Sequence, residues 1–239
     1  MEQSKEDTID ILWQDEHYAF INKPAGVLIH RSIFSSDRDT LVKRLYSQFE
    51  KPPLPVHRLD RPVSGVLAAA FSKEAAAALS ACFRESTIRK TYWAVVRGYI
   101  PEEGRIEKEL KNYETLEMKE AVTTFKRLDT AEIPIPSRKF ETSRYSLVAV
   151  QPLTGRFHQI RRHLAGLGYP IVGDTSHGDT FCNHHFTEHF HVDGLMLHAG
   201  ALELTHPLTG EELCITAEPP KRFESVFEIF NWKFLDNRD

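Results

Sequence analysis

His57-Arg58-Leu59-Asp60-Arg61-Pro62-Val63-Ser64-Gly65 runs straight into Val66-Leu67-Ala68-Ala69-Ala70-Phe71, and that junction decides how the chain is read. The second half has no polar alternation, which is the pattern of a strand buried on both faces. Such a strand needs neighbours and cover, so it implies a central sheet. The first half is a charged turn shaped by Pro62 and Gly65, with Pro52, Pro53 and Pro55 ahead of it. It sets Asp60 between Arg58 and Arg61, and nearby cations favour an ionised carboxylate. The same string also fits a surface turn with a structural Asp–Arg pair, and the loop alone does not separate the two readings.

Working outward, Ser72 is suited to cap a helix over Lys73–Glu85, which is rich in alanine. Upstream, Ile9–Trp13 and Tyr18–Asn22 read as strands and Val27–His30 as a brief third. Asp39 or Thr40 can cap a helix to about Phe49, with Leu41, Leu45 and Phe49 on one face. Downstream, strands are expected at Thr91–Arg97, Arg105–Leu110, Ala121–Leu128, Arg144–Val150, Leu195–Leu204 and Leu213–Thr216. A helix is expected over roughly Arg156–Leu167. Pro219-Pro220 opens a terminal helix whose Phe223, Phe227 and Phe230 form an apolar stripe for core packing. Sequential strands outnumber helices, so the fold class is α+β with a mixed, largely antiparallel central sheet flanked by helices and loops. The expected organisation is a polar tail over 1–8, one domain over 9–217, and a C-terminal helix and tail over 218–239 packed on it.

At 239 residues, 41% hydrophobic and 27% charged, the composition is that of an ordinary globular protein. No apolar run is long enough to span a bilayer, and the acidic, polar N-terminus is unlike a secretory signal. Three scattered cysteines argue against a disulfide framework and point to a reducing cytoplasm. The net charge of −4 weighs mildly against a nucleic-acid partner, but distribution matters more than the sum. Seven glutamates lie between Glu102 and Glu120, whereas the cations gather at Arg58 and Arg61, at Arg84, Arg89 and Lys90, and at Arg156, Arg161 and Arg162. One basic face on an acidic body is the expectation. Neither nucleotide-binding glycine motif occurs.

Two further stretches could carry chemistry. Arg89-Lys90-Thr91-Tyr92 leads two cations into a strand with a tyrosine on one face. Thr154-Gly155-Arg156-Phe157-His158-Gln159-Ile160-Arg161-Arg162-His163 turns into a helix whose N-terminus would suit phosphates. There Arg161 borders the packed face, while His158 and Arg162 share another.

With these residues laid out, the chain resembles the RluA-type pseudouridine synthases. The first stretch is similar to their H-R-L-D-R-x-T-S-G motif, Lys90-Thr91-Tyr92 to K-x-Y, and Thr154–Arg161 to T-G-R-x-H-Q-[IL]-R. Asn22-Lys23-Pro24-Ala25-Gly26, Leu195–Ala199 and Thr205-His206-Pro207 resemble the family's first turn and closing segment. The resemblance covers roughly residues 9 to 217, in the family's order. Val63 departs from it, standing where threonine is usual and leaving a loop hydrogen bond in doubt.

The resemblance implies the pseudouridine synthase fold with a catalytic cleft across its sheet, and isomerisation of a flipped-out uridine. It makes Asp60 the essential carboxylate, Arg161 its salt-bridge partner and Tyr92 the ring against the uracil. Arg58 would fill the gap left by the base. Arg61, Lys90, Arg156, His158, Arg162, Leu197 and His198 are expected at the RNA or substrate. No cofactor or metal is implied, and neither a membrane nor an obligate protein partner; a monomer is the default. His30-Arg31-Ser32 and Gly173-Asp174-Thr175-Ser176-His177-Gly178-Asp179 resemble the branch acting on a T-stem uridine of tRNA. A ribosomal RNA uridine is the runner-up.

Two rival readings come from other classes. Seven of the 12 histidines fall between His177 and His206, which raises a metal site. Yet the string is neither H-E-x-x-H nor accompanied by C-x-x-C, so a solvated loop is expected there. The other rival, a non-catalytic RNA-binding assembly factor, is disfavoured because Asp60, Tyr92 and Arg161 all remain.

Overall fold

The structure, a computed structural model, describes residues 8–30, 39–137 and 140–233. The N-terminal tail up to residue 7, the Arg31-Ser32 part of the basic segment and the tail from residue 234 lie outside the described residues. Strands β1 (Asp10–Gln14) and β2 (Tyr18–Lys23) come first, then helix α1 (Leu41–Gln48). Thr40 caps α1 by accepting from the Lys43 N–H, while Asp39 holds Arg44 in an ion pair instead. The short β3 (Leu54–Pro55), β4 (Ser64–Ala70) and helix α2 (Lys73–Glu85) follow, α2 starting at the expected cap, Ser72. Every residue of β4 is buried, as its unalternating sequence requires.

Strands β5 (Arg89–Arg97), β6 (Glu103–Glu107), β7 (Leu110–Lys111), β8 (Met118–Lys119), β9 (Val122–Ile133) and β10 (Ser143–Pro152) come next. Helices α3 (Gln159–Gly166) and α4 (Thr180–Phe190), strands β11 (Leu197–Thr205) and β12 (Glu212–Thr216), and helix α5 (Lys221–Phe230) complete the chain.

The chain divides into two compact units, 1–89 with 199–218, and 90–198 with 219–239. In the first, β1 pairs with β2, β2 and β3 with β4, and β11 with β12, all antiparallel. Its core gathers Tyr18, Phe20, Val66, Ala68, Leu79, Leu202 and Ile215. In the second, β10 pairs with β5 and β9, and β9 with β6, again antiparallel. Rings of Tyr145, Phe186, Phe190 and Phe230 pack together and seat α4 and α5. The α+β class with a largely antiparallel sheet is therefore observed.

Three local expectations are corrected. Val27–His30 is no strand; it contributes a single bridge, Leu28 to Thr40. The chain from Arg156 is not yet helical, because the Gln159 side chain takes the Arg156 N–H and holds a turn, so α3 starts at Gln159. The histidine-rich stretch is a helix, α4, rather than a loop, capped when Asp179 accepts from the Cys182 N–H.

Candidate active site

In the first unit, the loop around Asp60 is held by backbone and by one buried cation. The Val63 N–H donates to the Asp60 carbonyl at 3.0 Å and closes a tight turn through Arg61 and Pro62. Val63 itself is buried, so the side chain that departs from the family pattern packs in the core. Lys23 is fully buried at the end of β2, and its ammonium donates to the carbonyls of Pro24, Arg61 and Val63 at 2.9, 3.2 and 2.8 Å. Three acceptors match the three donors of an ammonium, which is what allows the charge to be buried. Gly26 and Arg61 add a reciprocal clasp: the Gly26 N–H donates to the Arg61 carbonyl, and Arg61 Nε donates to the Gly26 carbonyl, both at 2.8 Å.

Gly65 follows with φ +115, and a Cβ there would lie 2.1 Å from the Ala199 carbonyl oxygen. Only glycine fits where β4 passes that backbone. His57 Nε2 accepts from the Ala68 N–H at 2.9 Å, and its ring stacks on Phe83. Its Nδ1 therefore carries the proton in the neutral ring. Arg58 and Arg61 are exposed and Asp60 half-buried, with Leu59 buried between.

In the second unit, Lys90 and Tyr92 sit half-buried at the start of β5, with Tyr92 opposite Val150 of β10. Burial pushes the Lys90 ammonium below its usual range. Gln159 is a buried tie: its amide donates to the Val122 carbonyl and Thr123 hydroxyl, and its carbonyl accepts from Thr154 and Arg156. His163 does the same one turn on. Its Nε2 donates to the Lys108 carbonyl at 3.1 Å, so its Nδ1 accepts from the Thr123 hydroxyl at 2.9 Å.

Arg161 is 3% exposed and Asp174 1%. Arg161 Nε and Nη2 donate to the two oxygens of Asp174 at 2.8 and 2.7 Å, a bidentate pair. The same carboxylate accepts from the N–H groups of Ser176 and His177. Burial alone would raise the Asp174 pKa; Arg161 and these N–H groups outweigh it and hold the carboxyl below its usual range. Asn183 of α4 fastens the Asp174 loop, donating to the Asp174 carbonyl and accepting from the Gly173 N–H.

The third guanidinium nitrogen of Arg161, Nη1, lies 3.0 Å from His158 Nε2. His158 has φ 51, stacks on Phe157, and brings Nδ1 within 2.9 Å of His177 Nε2. Arg156 Nε donates to the Glu120 carbonyl, and Arg162 donates to the Lys111 carbonyl and lies over the Tyr113 ring. Leu197 and His198 are buried, His198 beside Trp93 and Phe223.

The sequence-derived set thus separates into Asp60, Arg58 and Arg61 on the first unit and Lys90, Tyr92, Arg156, His158, Arg161, Arg162, Leu197 and His198 on the second. Reading the sequence did not single out Lys23, Asp174 or His177 for a role. Among the described residues no group of three or more His, Cys, Asp or Glu side chains could hold a metal ion. Among the described residues no helix is long and apolar enough to cross a membrane.

Comparison with known proteins adds independent findings. Residues 17–166 match the RNA pseudouridylate synthase family. The chain is 42% identical over 235 residues to tRNA pseudouridine synthase C of Vibrio vulnificus, covering 94% of this chain and 96% of that one. The protein of the same name from Haemophilus ducreyi is 41% identical over 239 residues, covering 95% and 98%. Among solved structures, human RNA Pseudouridylate Synthase Domain Containing 1 superposes with a TM-score of 0.72 at 26% identity, covering 92% of this chain and 87% of that one.

Proposed function

The chain belongs to the RNA pseudouridylate synthase family, and from that premise we propose that it isomerises a T-stem uridine of tRNA to pseudouridine. The carrying observation is the similarity over nearly the whole chain to relatives named tRNA pseudouridine synthase C. The reaction breaks the C1′–N1 bond, turns the uracil and joins C1′ to C5; C5 gives up one proton and N1 gains one, directly or by exchange with solvent. Nothing is oxidised and no atom is added, so its balance calls for no cofactor.

Asp60 is the group we assign to C1′, as nucleophile or as base at the ribose. Either role requires a positioned, ionised carboxylate. The clasp of Lys23, Gly26 and Arg61 supports this, because it holds the backbone immediately after Asp60, at Arg61 and Val63. Arg161 is the cation we assign to Asp60, and Tyr92 the ring against the uracil. Exposed Arg58 enters the stack vacated by the flipped base, whose unstacking costs a few kcal/mol, roughly. Arg61, Lys90, Arg156, His158 and Arg162 face phosphates or ribose, and Leu197 and His198 support the pocket from within. Cytoplasmic residence fits three cysteines that are all free thiols.

Purified Asp60→Asn protein will bind RNA within about threefold of wild type while losing turnover by several orders of magnitude, roughly, as loss of an essential nucleophile or base does. Substantial turnover by that variant would sink the assignment. Pseudouridine mapping of total RNA from cells with and without the gene identifies the substrate; a lost mark in ribosomal RNA would redirect the proposal to the runner-up.

A further inference from the structure

We propose that Asp174 and His177 are positioning residues for the reaction, acting through Arg161 and His158. This rests on the functional reading above, which gives Arg161 its carboxylate partner but no account of how a flexible side chain is aimed. The geometry supplies that account. Asp174 takes the Nε/Nη2 side of the guanidinium with two short hydrogen bonds, so the planar group cannot turn about its long axis. Asp174 is itself fixed, by the Ser176 and His177 N–H groups and by Asn183 on its backbone. The remaining Nη1/Nη2 edge therefore points in one direction, and a fork of that shape takes a second carboxylate.

His158 fixes the far corner, and donor counting shows how. A guanidinium only donates, so His158 Nε2 accepts from Arg161 Nη1. Neutral His158 then carries its proton on Nδ1 and donates it to His177 Nε2, which leaves the His177 proton on Nδ1. One chain of donors thus runs from Arg161 to His158 to His177. His158 pays a left-handed backbone, φ 51, to sit there. His177 is what selects the tautomer that can accept from Arg161. The loop carrying Asp174 also carries His177, so a single segment sets both ends of the clamp.

The test measures single-turnover pseudouridine formation, with enzyme in excess, on total RNA from cells lacking the gene. It reads the maximal rate and the half-saturating enzyme concentration separately, with melting temperature alongside. In Asp174→Asn, the three donors already on Oδ1 keep the amide oxygen there, so the NH2 faces Arg161 Nε donor to donor. Its maximal rate should fall about 100-fold, the cost of misplacement by about 1 Å, with half-saturation within about threefold. Should that variant fail to fold, the half-buried end of the clamp, His177, still decides. His177→Phe keeps a ring and loses the acceptor, and its maximal rate should fall about tenfold. His177→Gln offers a carbonyl to His158 and should recover to within about threefold of wild type. An unchanged rate in His177→Phe overturns the proposal, as does Gln being no better than Phe. Weaker half-saturation at an unchanged maximal rate would make His177 an RNA contact instead. Asp60→Asn run in parallel separates the two claims: if it is inactive while His177→Phe is normal, the positioning role fails and the functional reading stands. Activity in Asp60→Asn would remove the functional reading itself.

Discussion

Lys23 contributes nothing to the chemistry assigned to Asp60, yet the geometry of that loop depends on it. Its ammonium has three carbonyl partners, two of them in the loop 38 and 40 positions further on. Lys23→Met keeps most of the stem and removes the head, leaving buried carbonyls unpaired. We expect a loss of about 2–4 kcal/mol in denaturant unfolding, since unsatisfied buried acceptors cost about 1–3 kcal/mol each and part of the loop can rehydrate. Turnover per folded molecule should fall as well; wild-type stability in Lys23→Met would show that the loop holds itself. Gly65 sets the opposite limit, because any side chain there meets the Ala199 backbone.

Helix α3 shows how an element is fixed by its polar as much as its apolar face. Gln159 and His163 are buried, and both are fully paired to the segments from β9 and Lys108. Burial pushes the His163 imidazole below its usual range, outweighing the hydrogen bond to Lys108. The unfolded chain thus takes up this proton first, and stability declines as pH falls from about 6.5 towards the lower folded value. Urea unfolding at pH 7.5 and 5.5 should show that decline, and His163→Gln should make it shallower; an equal slope in the variant would remove His163 from the linkage. His185, also held low by burial, keeps its own share in both proteins. The elements legible in sequence were those whose signals are local: Ser72 before an alanine-rich run, or the unalternating β4. Helix α4 was not, because its histidines give little amphipathic contrast. It stands on the Asp179 cap and on Phe186 and Phe190 meeting Tyr145 and Phe230. Asp174 was equally hidden, since nothing near it in sequence announces a partner 13 positions back.

For the whole molecule, the resemblance identified the loop, the strand tyrosine and the Arg161 helix as one family pattern, while the ties that hold each in place emerged only from the fold. Net charge is −4, so RNA affinity must come from where cations lie. With Arg61, Lys90, Arg156 and Arg162 on phosphates, log affinity against log salt should have a slope of about −3 to −4. A flat salt response in fluorescence anisotropy would count against those assignments.

The passage of β4 against Ala199 also dictates an order of assembly during translation. Residues 199–218 complete the unit that carries Asp60, and they leave the ribosome more than a hundred residues after the loop itself. Residues 90–198 emerge as one uninterrupted run before that segment does. The nascent chain therefore holds Asp60, the carboxylate proposed for catalysis, in an unfinished sheet until synthesis is nearly over. Such long sequence separations slow folding, and here they leave the sheet around Asp60 open until residues 199–218 have emerged.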